Sequence, residues 1–341
     1  MFIKVRNLGY LCLLIFSAVI VSFDLYYRVF LGQNLTPSAG AAMIPQEATV
    51  VAYIASDPYQ WTQLKSFLPL TVQEALVETY RSWLKKIVIV SRTNYRKSVQ
   101  PWLGNLVFAF IPAQSSQNTD GNHFLIVAGI KNKIQAYTFG KTIENDSKLQ
   151  KNFETYKKFP VVEVSDLQST IFLALVNNKL LVSDSHRVVE RAIETSQSNQ
   201  SFLNREDAKA FFSQQETKNL MARVYVPVYA QLHQSLLDLV SESGSKSEIQ
   251  MAEVESVFVG VTVHHVEVQL DVLANLNTEV TKQKCQAIAR RVSRLLEAEL
   301  LLDFASQGGS LVGSEAVIEA SDRCSLHKSL KNDRHSLSPF S

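Results

Sequence analysis

Apolar side chains recur along the chain in two periods, and these place most of its elements. From Thr49 to Ala55 the sequence TVVAYIA is β-branched and aromatic, which predicts a strand. Ser56-Asp57-Pro58 then supplies a capping residue and a proline suited to the first helical position, so the strand hands over to a helix. Thr71 with Glu74 makes a capping box, and Ala75, Leu76, Tyr80, Trp83, Leu84 and Ile87 follow at helical spacing, predicting a helix over 71–86. Strands resume at 87–91, 105–111 and 123–130, the last two framing a polar, solvent-facing loop over 113–122.

Two hairpins are legible in detail. In residues 170–184 the pair Asn177-Asn178 suits the positive φ angles of a type I′ turn. It puts Ile171, Leu173 and Leu175 on one face with Leu180 and Val182, and that face is expected to be core. From Val257 the apolar residues sit at odd positions (Val257, Val259, Val261, Val263), then at even ones (Val266, Val268, Leu270, Val272). A tight turn at His264-His265, with Val263 opposite Val266, explains the switch. Helices are expected at 185–195, 205–214, 227–240 and 281–305, the last with a buried stripe of Ile288, Val292, Leu295, Leu296 and Leu300. Helices interleaved with antiparallel hairpins predict an α+β fold, a mainly antiparallel sheet with helices packed on it.

The N-terminus reads differently. Lys4 and Arg6 precede an uncharged run from Leu8 to Phe23, and Leu25 to Leu31 continue apolar with Tyr26 and Tyr27 suited to an interface. The nearest small-x-small site, Ala39-Gly40-Ala41, is too far downstream for ordinary signal cleavage, which favours one N-terminal transmembrane helix over a cleaved signal or a buried core helix. The positive-inside bias leaves the N-terminus in the cytoplasm. The expected organisation is a cytoplasmic stub and anchor over 1–31, a linker over 32–47, an extracytoplasmic body over 48–305 and a disordered tail over 306–341, where periodicity fades.

Composition narrows the function classes. The 34 Lys and Arg against 32 Asp and Glu, with no long single-sign run, leave no cationic field for nucleic acid. The expected partners are therefore the membrane, through residues 8–31, and a membrane-protein partner. Of three cysteines, Cys285 and Cys324 are the candidates for a bridge outside the cytoplasm, worth roughly 4 kcal/mol on the chain-entropy model. Two free thiols, with Cys324 in a loose tail, are the preferred alternative.

Candidate chemistry is sparse. His264-His265 lie at a turn and cannot chelate one ion as an i, i+4 helical pair does, so neither a metal nor a cofactor is expected. Ser183-Asp184-Ser185-His186 holds the residue types of a hydrolytic triad, but it stands where a helix needs a cap, which is the better account. No nucleophile elbow, phosphate loop, dinucleotide fingerprint, H-E-x-x-H or C-x-x-C occurs. The N-x-[ST] tripeptides at Asn34, Asn145 and Asn199 carry no weight. Pro101-Trp102-Leu103-Gly104 sets a large ring in a turn before a strand, where it either plugs the sheet end or offers a surface, and the burial habits of tryptophan favour the plug. The candidate binding surface comprises Trp61, Tyr95, Pro101, Trp102 and Gly104.

Ile44-Pro45 leading into a strand, Pro58 with Trp61, Asn94-Tyr95 before Gln100-Pro101-Trp102-Leu103-Gly104, and the stretch from Phe172 to Ile193 form a recurring set, continued by Ser201-Phe202-Leu203 and by Ala222 to Pro227. Over residues 44 to 275 the chain resembles a family of membrane-anchored proteins of unknown function found mainly in cyanobacteria, the Asn-Tyr and Pro-Trp-x-Gly stretch being the most specific part. The resemblance implies a periplasmic or thylakoid-lumenal body and supplies no catalytic residue. Family members tend to be longer, so the ending from Ser306 reads as a truncated or divergent half, and a shortened paralogue without independent function is a third reading. The expected function is a membrane-tethered binding, assembly or scaffold role and no catalysis, with an extracytoplasmic hydrolase built around residues 183–186 as the alternative.

Overall fold

The computed structural model describes residues 31–67, 95–113, 122–165, 169–198, 200–213, 219–227, 254–264, 267–276, 310–320 and 323–331. The apolar run from Leu8, the helices expected over 71–86, 227–240 and 281–305, and the strand at 87–91 lie outside these residues. So does nearly all of the loop expected over 113–122.

Among the described residues, thirteen antiparallel strands form one sheet. They are β1 (Leu31–Gln33), β2 (Val50–Ile54), β3 (Leu103–Pro112), β4 (Asn122–Asn132), β5 (Gln150–Tyr156), β6 (Phe159–Ser165) and β7 (Thr170–Val176). The rest are β8 (Lys179–Ser183), β9 (Leu220–Pro227), β10 (Val254–Val263), β11 (Glu267–Leu276), β12 (Ser310–Ala320) and β13 (Arg323–Lys331). Their spatial order is β12-β13-β11-β10-β9-β2-β3-β4-β8-β7-β6-β5. β8 pairs β4 only as far as Gly129, and β1 pairs the remaining length from Ile130 to Asn132. The helices are α1 (Pro37–Ala41), α2 (Pro58–Phe67), α3 (Tyr95–Ser98), α4 (Lys133–Asn145), α5 (His186–Gln197) and α6 (Glu206–Ser213), with a 3₁₀ turn at Phe202–Asn204. The fold is thus α+β with a mainly antiparallel sheet. Among the described residues no helix is long and apolar enough to cross a membrane.

Both faces of the sheet are apolar. On the first, α1, α5, α6 and the 3₁₀ turn bury Val51, Val107, Leu125, Val127, Leu181 and Tyr225. Val188, Val189, Ala192 and Ile193 give α5 the inward stripe that docks it there. On the second face, one register row runs from β5 to β11: Phe153, Val162, Leu173, Val182, Ile126, Phe108, Ala52, Val224, Val259 and Val272. α4 lends Ile143 to the cluster around Ile126, Val164, Ile171 and Val182, and α2 lends Trp61, Leu64 and Phe67 to the one around Met221, Val263 and Val268.

Four expectations are corrected. Residues 32–47 are no linker: β1 and α1 lie there, and Leu35, Ala41, Met43 and Ile44 are buried in the main core. Their small residues, read as a tether, are small because neighbours press on them; a Cβ on Gly40 would collide with Val107 Cγ2. Residues from 306 are no disordered tail, because β12 and β13 pair with each other and with β11. Cys324 is accordingly a buried residue of β13 and is disulfide-bonded, not a free thiol; Cys12 and Cys285 lie outside the described residues. Lastly, the β10–β11 strands pair in another register. His264 N–H donates to Glu267 O at 2.7 Å, and Val263 faces Val268 rather than Val266. A two-residue change of partner leaves every side chain on its own face, so the apolar alternation could not distinguish the two registers.

The β7–β8 hairpin has the expected register, Leu173 opposite Val182 and Leu175 opposite Leu180, with φ of 49° and 61° at Asn177 and Asn178. Its deeper face is the other one, where Ala174, Val176 and Leu181 lie under the helices, while Leu175 is 49% exposed. Asn178→Gly is expected to keep stability, whereas Asn178→Ala costs about 1 kcal/mol of left-handed strain, measurable by urea denaturation.

Candidate functional site

The Ser183 to His186 segment crosses from β8 into α5, and its side chains part company there. Ser183 is fully buried; its hydroxyl donates to Phe124 O at 2.6 Å and accepts from the Ser185 N–H at 3.1 Å. Asp184 Oδ1 accepts from the Phe124 N–H at 3.2 Å and lies 3.3 Å from His123 Nδ1. His186 has Nε2 3.2 Å from Glu154 Oε2 and Nδ1 3.9 Å from Glu190 Oε1, with Phe172 edge-on to its ring at 5.3 Å. A nucleophile needs a base within hydrogen-bond reach, and here the hydroxyl serves a backbone carbonyl while the imidazole faces two carboxylates. The expected cap is also only partial: Ser185 holds the N-cap position with extended backbone, but its side chain makes no capping bond.

Glu154 was not legible as a partner because it arrives from the edge strand β5. That strand's hairpin is tied to α5 a second time. Tyr156 O–H donates to Glu194 Oε1 at 2.7 Å, and Lys157 Nζ reaches the same oxygen at 2.8 Å. The Lys157 bond, then the Tyr156 bond, hold the Glu194 carboxyl below the usual carboxylate range, and the shared hydrogen bond pushes Tyr156 up to about 12. The tie therefore supplies stability above the ordinary carboxylate pKa that fades as pH falls below it. Tyr156, raised in the folded state, contributes below pH 10 and loses that contribution toward pH 12. Tyr156→Phe is expected to flatten the alkaline part of the stability curve, read by denaturation between pH 9 and about 12.

The tryptophan motif is a plug. Trp102 is 4% exposed, donates its indole N–H to Ser98 O at 2.7 Å and leans on Phe139 of α4 at 5.2 Å between centroids. Tyr95 packs in the same cluster with Val99 and Ile130, and Pro101 is half-buried beside it. Gly104 matters for the room it leaves: a Cβ there would meet Gly129 O at 3.0 Å and Asn34 Oδ1 at 3.1 Å. Trp61 stands apart in the α2 cluster, its indole bonded to Ala55 O at 2.9 Å. The five residues hold elements together and do not make one open surface.

A polar group missed in the sequence lies between α6 and the sheet. Asp207 Oδ2 accepts from Tyr225 O–H at 2.7 Å and from Ser256 Oγ at 3.4 Å, and Asn275 Nδ2 donates to Ser256 Oγ at 3.0 Å. Burial first, and the Asp207 bond second, push the Tyr225 hydroxyl up, so it stays neutral and acts as a fixed donor. Its members come from four elements, which no local spacing reveals. At the β10–β11 turn, Asn219 Nδ2 donates to His264 Nδ1 at 2.9 Å, and among the described residues no group of three His, Cys, Asp or Glu side chains is arranged to hold a metal ion.

The most extensive unassigned feature is the second sheet face. Along it Phe110, Phe153 and Leu175 are exposed. Broad apolar surface left open on a folded chain marks a place where something else packs.

No curated protein matches this chain. It is similar to the solved structures of TP0453 in crystal forms III and IV, at 10% identity with TM-scores of 0.46 and 0.48, covering 86% and 87% of this chain and 94% of that chain in each case. Crystal form I of TP0453 gives 12% identity and a TM-score of 0.44 over 87% of this chain and 94% of that one. Residues 8–338 match the family described as a protein of unknown function (DUF3352), and the chain belongs to that family.

Proposed function

We propose that the protein is a membrane-tethered binding or assembly protein whose body lies outside the cytoplasm, in a periplasm or thylakoid lumen. The observation that carries the binding role is the second sheet face, apolar from β5 to β11 and open at Phe110, Phe153 and Leu175. The tether rests on the charge-free run from Leu8 to Phe23 behind Lys4 and Arg6, and on the resemblance to an anchored, mainly cyanobacterial family. The hydrolase alternative has less support, since Ser183, Asp184 and His186 each serve a different partner.

The test is capture of partners from detergent-solubilised membranes by the full-length chain. A partner retained by the parent and lost on Leu175→Glu, with the fold intact by circular dichroism, is the expected result. Turnover of any substrate by the purified chain that His186→Ala abolishes would reverse the reading in favour of catalysis.

A further inference from the structure

We infer that the end of the sheet beside β1 rests on the headgroup surface of an anionic bilayer. The inference builds on the tethered reading above and adds an orientation and a lipid chemistry to it. The charge-free run that would anchor the chain ends at Phe23, and only seven residues, Asp24 and Arg28 among them, stand between it and Leu31, the first residue of β1.

β1 is fastened to the sheet. Leu31 pairs with Asn132 and Gln33 with Ile130. The fit is close because glycines line the seam: a Cβ on Gly32 would collide with Ile130 O, and one on Gly129 would meet Leu35 N at 2.7 Å. Asn105 Nδ2 also donates to Leu35 O at 3.2 Å. A membrane segment so few residues ahead of β1 brings the sheet end that carries β1 toward the bilayer.

That end is basic. α3 brings Arg96 and Lys97 to the start of β3, whose Leu103 lies opposite Ile130. Lys131 and Lys133 flank the end of β4, and Lys179 pairs across from Gly129. Lys157 and Lys158 form the β5–β6 turn at the same end. Three carboxylates stand at that end: Asp57 accepts the Tyr59 N–H at 2.9 Å, Glu194 holds Lys157, and Glu267, farther along the sheet at the start of β11, accepts from Gln269 Nε2 at 3.4 Å. The other end of β4 meets Asp184, and α4 runs away from β1 to finish at Glu144 and Asp146.

The same end also offers apolar tips. Ile134 and Tyr137, three residues apart on the first turns of α4, are 53% and 67% exposed. An exposed tyrosine with Lys141 Nζ 5.8 Å from its ring centroid suits the headgroup layer, where its ring meets acyl chains and its hydroxyl meets water.

The experiment uses the full-length chain reconstituted into phosphatidylcholine vesicles with or without phosphatidylglycerol, followed by flotation and hydroxyl-radical footprinting. The chain should float with both. At low salt, Tyr137 and Ile134 should oxidise about fivefold more slowly on the phosphatidylglycerol vesicles, the occupancy change expected for one basic residue at an anionic surface. His123, at the opposite end of β4 and about 30 Å away by strand rise, should be unaffected. High salt should restore the oxidation of Tyr137, and Lys97→Glu with Lys131→Glu should abolish the protection while the chain still floats. Flotation with equal oxidation of Tyr137 on both vesicles, or protection of His123 instead, overturns the orientation and leaves the tether standing. Failure to float overturns both.

Discussion

Phe258→Ala should lower the unfolding stability of the full-length chain by about 3–5 kcal/mol, the cost of a large cavity that neighbours cannot fill. Phe258 is 1% exposed and stands at the centre of an aromatic group, 4.5 Å from Tyr225 and 4.8 Å from Phe211 between ring centroids, with Phe202 beyond at 5.0 Å from Tyr225. It is also where α6 meets the sheet, so its loss withdraws partners from both layers. Phe153→Ala, at a side chain 62% exposed, should stay within about 0.5 kcal/mol. Chemical denaturation of the detergent-solubilised protein measures both, and equal effects would refute this account of the core.

Gly129→Ala is expected to cost about 3 kcal/mol, near the top of the range for overpacking. The added methyl would stand 2.7 Å from Leu35 N and 2.9 Å from Leu35 Cβ, and neither can retreat, since Leu35 is buried and its carbonyl is held by Asn105. The displaced segment is the one between β1 and α1, so protease cleavage within residues 32–47 should rise in parallel. Gly140→Ala is the contrast. Nothing lies within 4 Å of a Cβ there, on an exposed position of α4, and alanine should stabilise by about 0.5–1 kcal/mol.

How much of this was legible follows from which signals are local. The strand at Val50–Ile54, the helix opening at Pro58 and the Asn177-Asn178 turn are each written in adjacent residues, and all three stand where expected. Which face of a strand lies deeper is not local: Leu175 and Val176 are both apolar, and only the docking of α5 decides that Val176 is buried. The order in residues 32–47 is not legible locally because small side chains signal either freedom or close approach, and Gly32 and Gly40, with Gly129 across the seam, here signal the second. Of the candidate site, Trp102 could be read as a plug from residue type alone. The Glu154–His186 and Asp207–Tyr225 contacts could not, since each joins elements far apart in sequence.

The position of β2 has a kinetic consequence. It lies between β3 and β9, and its Val51 pairs with Tyr225, so the middle of the sheet joins the start of the body to a segment synthesised much later. The strands from β3 to β8 pair only with one another and with the short flanking β1 and β2, and can zip together as they emerge. Until β9 arrives, one long side of β2 has no hydrogen-bonding strand, and closing so large a loop is slow. Refolding should therefore be biphasic, with hydrogen-exchange protection appearing early in β3, β4, β7 and β8 and late along β2 and β9.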